Sequence, residues 1–277
     1  MKLPTNIDDF DRDRDNQDCG VGGAYPSLGF QPVSEAALGN GDCYGFYWPY
    51  GREGQEPQIC EMLHDDWCLE QRFSSSEVFA DWLEASNEGE DEVELDDPGF
   101  TPIRFHQTRA LLKDQPEQAV ALLRAICQDF PDSAEYWYTL AVQLRRIGEH
   151  AESATAAIRA FASNWAFGHP PNGTLRLLKN ARGKLDDPLV AHSDALTMKY
   201  GGSKENDTYH ILKQCIGAYL ASDTPILGLL LNQNYGYMMT TETGSFMERY
   251  QFDKTTWLAQ HRQLCLTHLG DNRTLAF

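Results

Sequence analysis

Small residues recur in this chain at a spacing that closely packed helices require. Ala119 and Ser153, Leu123 and Ala157, and Ile126 and Ala160 form three pairs with one shared offset of 34 residues. Between Ala134 and Ala160, Trp137, Leu140, Ala141 and Leu144 trace one helical face, Gly148 marks a turn, and Ser153, Ala157 and Ala160 trace the next. One period earlier a unit starts at Phe100, carries Ala119, Leu123 and Ile126, and closes at Pro131. Alanine and serine let neighbouring helices approach, and proline stops a helix because it lacks an N–H. Two helix pairs cannot bury a core alone, so more helices are expected downstream. Thr174–Lys184, Pro188–Tyr200, Thr208–Ala221 and Thr255–Leu269 have helical spacing. Ile226–Leu231 and Tyr235–Thr241 are apolar runs that fit a strand or a buried helix.

The pattern of residues 100–167 is similar to tetratricopeptide (TPR) repeats, with no gap needed between the two units. That resemblance implies a stack of helix pairs offering a surface to other proteins.

The first third of the chain reads differently. It opens with a stretch expected to be irregular to about residue 32. Gly39-Asn-Gly-Asp then marks a tight turn, Cys43-Tyr-Gly-Phe-Tyr-Trp an aromatic strand, Pro49-Tyr-Gly-Arg-Glu-Gly a hairpin loop and Gln58-Ile-Cys-Glu-Met-Leu the returning strand. Ser74-Ser-Ser-Glu77 is a capping box ahead of a short amphipathic helix through Val78, Phe79, Trp82 and Leu83. This order, with Glu61-Met-Leu-His-Asp-Asp-Trp67 between strand and helix, resembles the SMI1/KNR4 (SUKH) family over about residues 38–84. The family's N-terminal helix and first Gly-rich turn have no counterpart before residue 30. The resemblance implies a binding module, of a kind that in bacteria often serves as an immunity protein against the toxins of competing cells.

Charge divides the chain and limits its partners. The net charge is −18, from 41 acids and 23 bases. Nucleic-acid binding draws its free energy from cations meeting phosphates, and no Lys/Arg cluster stands out, so neither nucleic acid nor an anionic membrane is an expected partner. Residues 1–18 hold six Asp against three bases, and residues 84–97 hold eight acids and no base. These two segments therefore carry eleven of the eighteen net charges and read either as a solvated tail and linker or as charges that steer a basic partner. No apolar run reaches the roughly 20 residues of a membrane span. The N-terminus has no apolar signal segment, and seven scattered cysteines read as reduced thiols, so a cytoplasmic location is expected.

No residue set announces catalysis. Cys60, His64 and Cys68 are four apart, but their segment reads as strand and turn, which would scatter them; no metal and no cofactor are expected. Asp9, Asp11, Asp13 and Asp15 alternate like the start of a calcium loop, yet no register supplies its Gly and Glu. Phosphate-loop, dinucleotide and nucleophile-elbow motifs are missing.

The expectation is an α+β chain: a β-meander/α unit at 1–83 with an acidic N-terminal tail, an acidic linker at 84–99, TPR-like repeats at 100–200 and a mainly helical region at 201–277. Its expected function is non-enzymatic protein binding, most specifically as an immunity-type molecule that neutralises a toxin or effector. The contacting residues would be the exposed sheet aromatics Tyr44, Tyr47, Trp48 and Tyr50 with the turn His64, Asp65, Asp66 and Trp67, because aromatics anchor interfaces at small entropic cost. The alternative is an enzyme or small-ligand-binding protein with its site in the C-terminal region. Limited proteolysis should cut first within 84–99 and leave a stable fragment beginning near residue 100; first cleavage within 105–160 would disprove the two-part division.

Overall fold

Alternating apolar residues build four antiparallel strands paired in chain order: β1 (Phe30–Ala37), β2 (Cys43–Tyr47), β3 (Gln58–Leu63) and β4 (Cys68–Phe73). The computed structural model describes residues 1–7, 29–37, 42–63, 68–87, 97–198, 208–240, 244–271 and 273. Register places Phe46 opposite Ile59 and Ile59 opposite Phe73, so all three share one face of the pleat. Helix α1 (Ser76–Asn87) lays Phe79 and Leu83 on that face, closing a core with Val33, Phe46, Trp48 and Ile59. The hydroxyl of Ser75 accepts from Val78 N–H at 3.3 Å and caps the helix, as the serine run predicts. A register shift between Ile59 and Cys60 lets Arg72 pair with both Glu61 and Glu70, which otherwise oppose each other as like charges.

The structure corrects two expectations for this region. The stretch before residue 32 is not wholly irregular, since β1 begins at Phe30, and Lys2 is bonded to Glu53 through its backbone and to Glu56 through its side chain. The proposed linker is narrower than 84–99. Residues 84–87 continue α1, because nothing breaks the helix before Gly89, and Asp97 is buried, its carboxylate accepting from the Ser74 N–H at 2.8 Å and from the Ser74 hydroxyl. As the strand-and-turn reading of this segment expects, Cys60 stands on β3 and Cys68 on β4, so their spacing makes no shared helix face. Asp9, Asp11, Asp13 and Asp15 lie outside the described residues.

Two compact units follow, one of Met1–Arg104 with Asp271–Phe277 and the other of Phe105–Gly270. The second unit therefore begins at Phe105, inside helix α2 (Thr101–Arg109). It continues through α3 (Pro116–Asp129), α4 (Ala134–Arg146), α5 (His150–Ala162), a 3-10 turn at Trp165–Phe167, α6 (Gly173–Ala181) and α7 (Pro188–His192). Then come α8 (Thr208–Leu220), α9 (Pro225–Thr240), α10 (Gly244–Arg249) and α11 (Lys254–Leu269). Neighbours pack in sequence: α3 on α4, α4 on α5, α5 on α6. Ala119, Ala141, Ala157 and Ala160 are fully buried, and the Ser153 hydroxyl donates to the Ala141 carbonyl at 2.7 Å across the α4–α5 contact. Gly148 makes the turn between those helices at φ +88°, a conformation that favours glycine.

The two apolar runs at 226–231 and 235–241 are one helix, α9. It is apolar almost all round because α8, α11 and α5 pack against it, which removes the one-sided period a sequence reader looks for. Its buried Asn234 ties it to the end of α5: Oδ1 accepts from Trp165 N–H at 3.0 Å, while Nδ2 donates to the carbonyls of Ser163 at 2.8 Å and Ala162 at 3.3 Å. Among the described residues no helix is long and apolar enough to cross a membrane.

Ala141→Leu, and equally Ala119→Leu, should overpack the helical interfaces and destabilise the protein by about 1–3 kcal/mol; unchanged thermal melts for both would refute this packing. Asn234→Leu removes the side-chain partner of one N–H and two carbonyls, at about 1–3 kcal/mol for each group left unsatisfied, and should lower the melting temperature more than Asn180→Leu on the surface does.

Candidate functional site

The expected contact residues in the first unit are mostly interior. Tyr47, Trp48 and Tyr50 are buried, at 0%, 1% and 6% exposure, so the expectation of exposed anchors is corrected for all three. The cause is local. Trp48 donates its indole N–H to the Lys2 carbonyl at 2.9 Å, and its backbone N–H to the Gly29 carbonyl at 3.0 Å. The guanidinium of Arg273, itself 1% exposed, is bonded to the Trp48 carbonyl and to Glu53, and lies 4.1 Å from the centre of the Tyr50 ring. A Cβ at Gly29, whose φ is +83°, would collide with that guanidinium. Tyr44 is half-buried, edge-on to Phe73, Phe79 and Trp82, and burial together with nearby Glu61 raises the pKa of its phenol. His64, Asp65, Asp66 and Trp67 lie outside the described residues.

The helical unit offers a different surface. α4 ends at Arg146, the Gly148 turn reverses the chain, and α5 starts at His150. α6 packs on α5, and its residues Leu177, Asn180 and Ala181, with Lys184 and Leu185 in the following turn, fall on one helical face. Between these elements lies a groove of about 400 Å³. Its floor is apolar, from Ala151, Ala154, Leu177, Ala181 and Leu185; its rim carries Arg145, His150, Asn180 and Lys184. A second depression of about 590 Å³ shares Lys184 and Leu185 and adds Arg182 and Asp186.

The segment that carries Lys184 is held in place. Asp187 caps α7 by accepting from Leu189 N–H at 2.9 Å and Val190 N–H at 3.1 Å, and it accepts from the Tyr219 hydroxyl at 2.7 Å. Burial and the Asp187 charge push the Tyr219 phenol up, so it stays the donor. Arg182 pairs with Asp194.

Two arginines near the groove are engaged. Arg124 meets Glu152 through two bonds of 2.8 and 2.6 Å, and this pairing holds the Glu152 carboxyl below its ordinary value. Arg146 is bonded to the carbonyls of Leu112 and Lys113 and to Gln143. The side chains of Arg145, His150 and Lys184 have no hydrogen-bond or ion-pair partner among the described residues. The signal available in the sequence is an acid-free run: residues 153–185 hold five bases and no Asp or Glu. The division into units sharpens it, because Phe105–Gly270 carries sixteen bases and sixteen acids, which leaves the whole −18 on the first unit.

In chemical terms the groove supplies cationic donors above an apolar floor. Ser153 borders it, but its hydroxyl is engaged with Ala141, so it forms no nucleophile–base pair with His150. Burial pushes up the thiols of Cys127 and Cys215, the latter to about 12, far from a reactive thiolate.

Comparison with known proteins places this architecture. A model of the YfbP N-terminal domain matches residues 14–93, and a model of the YfbP C-terminal domain matches residues 199–275. The chain is 38% identical over 260 residues to the uncharacterized protein YfbP of Escherichia coli (strain K12), covering 91% of this chain and 92% of that protein. No solved structure matches the chain. A likeness that runs through so much of both sequences takes in both compact units, and by it this chain belongs to the YfbP family.

Proposed function

We propose that this protein is a non-enzymatic protein-binding molecule and that the groove beside α5 and α6 is its recognition surface. The observation that carries the reading is the lining: Arg145, His150 and Lys184, without side-chain partners among the described residues, stand beside the apolar Ala151, Ala154, Leu177, Ala181 and Leu185. A concavity with a few convergent polar groups and an apolar lining has the make-up of a ligand site. The committed Ser153 hydroxyl and the raised thiols favour binding over covalent chemistry. Helices α3–α5 are read here as tetratricopeptide-type repeats, a reading supported by the buried small residues at Ala119, Ala141, Ser153 and Ala157 and by the turn at Gly148.

The narrower form of the proposal is an immunity-type role, neutralising a toxin or effector. It draws on the SUKH resemblance, on the order of four antiparallel strands and helix α1, and on the −18 charge of the first unit, which suits a basic toxin.

The test is a photo-crosslinking amino acid at Asn180 in cells, with a control at the exposed Leu122 of α3. A defined protein partner should crosslink from residue 180 and not from 122. No protein adduct from 180, or the same adducts from both positions, would overturn the assignment of the groove.

A further inference from the structure

We infer that the occupant of the groove is an acidic peptide segment of a partner protein, in which Glu or Asp side chains alternate with aliphatic ones. The inference rests on the reading of the groove as a protein-binding surface and specifies its ligand. Three observations lead to it.

The first is charge. Arg145 and Lys184 lie on the rim with no acidic partner among the described residues, and the segment from 153 to 185 contributes bases only. A guanidinium and an ammonium left in this state are satisfied best by carboxylates, which Arg grips through two parallel bonds and Lys through one. The second is the floor. Ala151, Ala154 and Ala181 are short, so they leave depth between α5 and α6, and Leu177 and Leu185 close its far side. An aliphatic side chain fills such a space, whereas a bare inorganic anion leaves it wet and gains nothing from it. The third is extent. The groove and the second depression share Lys184 and Leu185, so the surface runs on past one ligand-sized hollow. An extended peptide follows such a path. Asn180, on the same rim, has the donor and acceptor that a peptide group asks for.

The other charges nearby set the register. Asp186 lines the second depression, and Asp187 is engaged with α7 and Tyr219, so the carboxylates of the ligand belong at the Arg145–Lys184 end. A nucleic acid fits poorly. The groove admits a few side chains, not a duplex.

The experiment uses the full chain and a fluorescein-labelled octapeptide of alternating Glu and Leu, followed by fluorescence anisotropy. Saturable binding is expected. The double variant Arg145→Glu/Lys184→Glu should weaken it about tenfold or more, since two charge-assisted contacts become repulsions. Both positions are exposed and have no described side-chain partner, so melting should be unchanged. A Glu–Ser peptide should bind more weakly and a Lys–Leu peptide not at all. Equal binding by the double variant, by the Glu–Ser peptide or by the Lys–Leu peptide overturns the inference. So does complete displacement by millimolar inorganic phosphate, which would mark a simple anion site. If the partner crosslinked at residue 180 docks through a neutral or basic segment, the groove remains a protein-binding surface and only this inference falls.

Discussion

A single buried amide ties the later helices of the second unit to the end of α5. Asn234 sits in the middle of α9, next to Asn232 and Gln233, and all three of its bonds go to backbone groups where α5 ends and the 3-10 turn begins. Helix ends expose carbonyls and amides that must find partners when water is excluded. Asn234 supplies them from a distance of about seventy residues in sequence, and so fixes the later helices against the end of α5. The position of α5 in turn sets the groove, because its first turn forms one wall and α6 the other.

The first unit solves a similar problem with charge. Arg273 is buried against Tyr50 and bonded to Glu53 and to the Trp48 carbonyl. A buried guanidinium is tolerated when a carboxylate neutralises it and its donors are used. Lys2 and the Gly29 carbonyl complete the enclosure of Trp48. Aromatic residues that look like a binding surface in a short stretch of sequence are thereby the interior of a small meander, filled from segments far away in the chain.

Charge is distributed by unit as well. The first unit holds the whole net negative charge, whereas the helical unit is balanced and places Arg145 and Lys184 beside one groove. Such a chain presents two electrostatic characters to its surroundings. At physiological salt exposed charges are screened beyond about 8 Å, so each surface acts on what touches it. The two proposals, a basic partner for the acidic unit and an acidic segment for the groove, can therefore hold for one protein.

The sequence alone determined most of the elements. Strands β2 and β3, helices α1, α6, α8 and α11, and the small residues at the α3–α5 contacts are all legible, because pleat and helix impose local periods on which residues are apolar. Glu84–Asn87 and α9 were harder. The first was masked by its acidic run, and the second lost its period through burial on every side. The candidate site was legible only as an acid-free stretch. Arg145 and His150 are more than thirty residues from Lys184, and their meeting depends on the Gly148 turn and on α6 packing against α5. Exposure was decided by tertiary structure too. Tyr47 and Trp48 have the composition of an interface, but whether water reaches them depends on Lys2, Gly29 and Arg273, contacts with no local period to betray them. Local backbone geometry writes itself into neighbouring residues; a site assembled from distant segments does not.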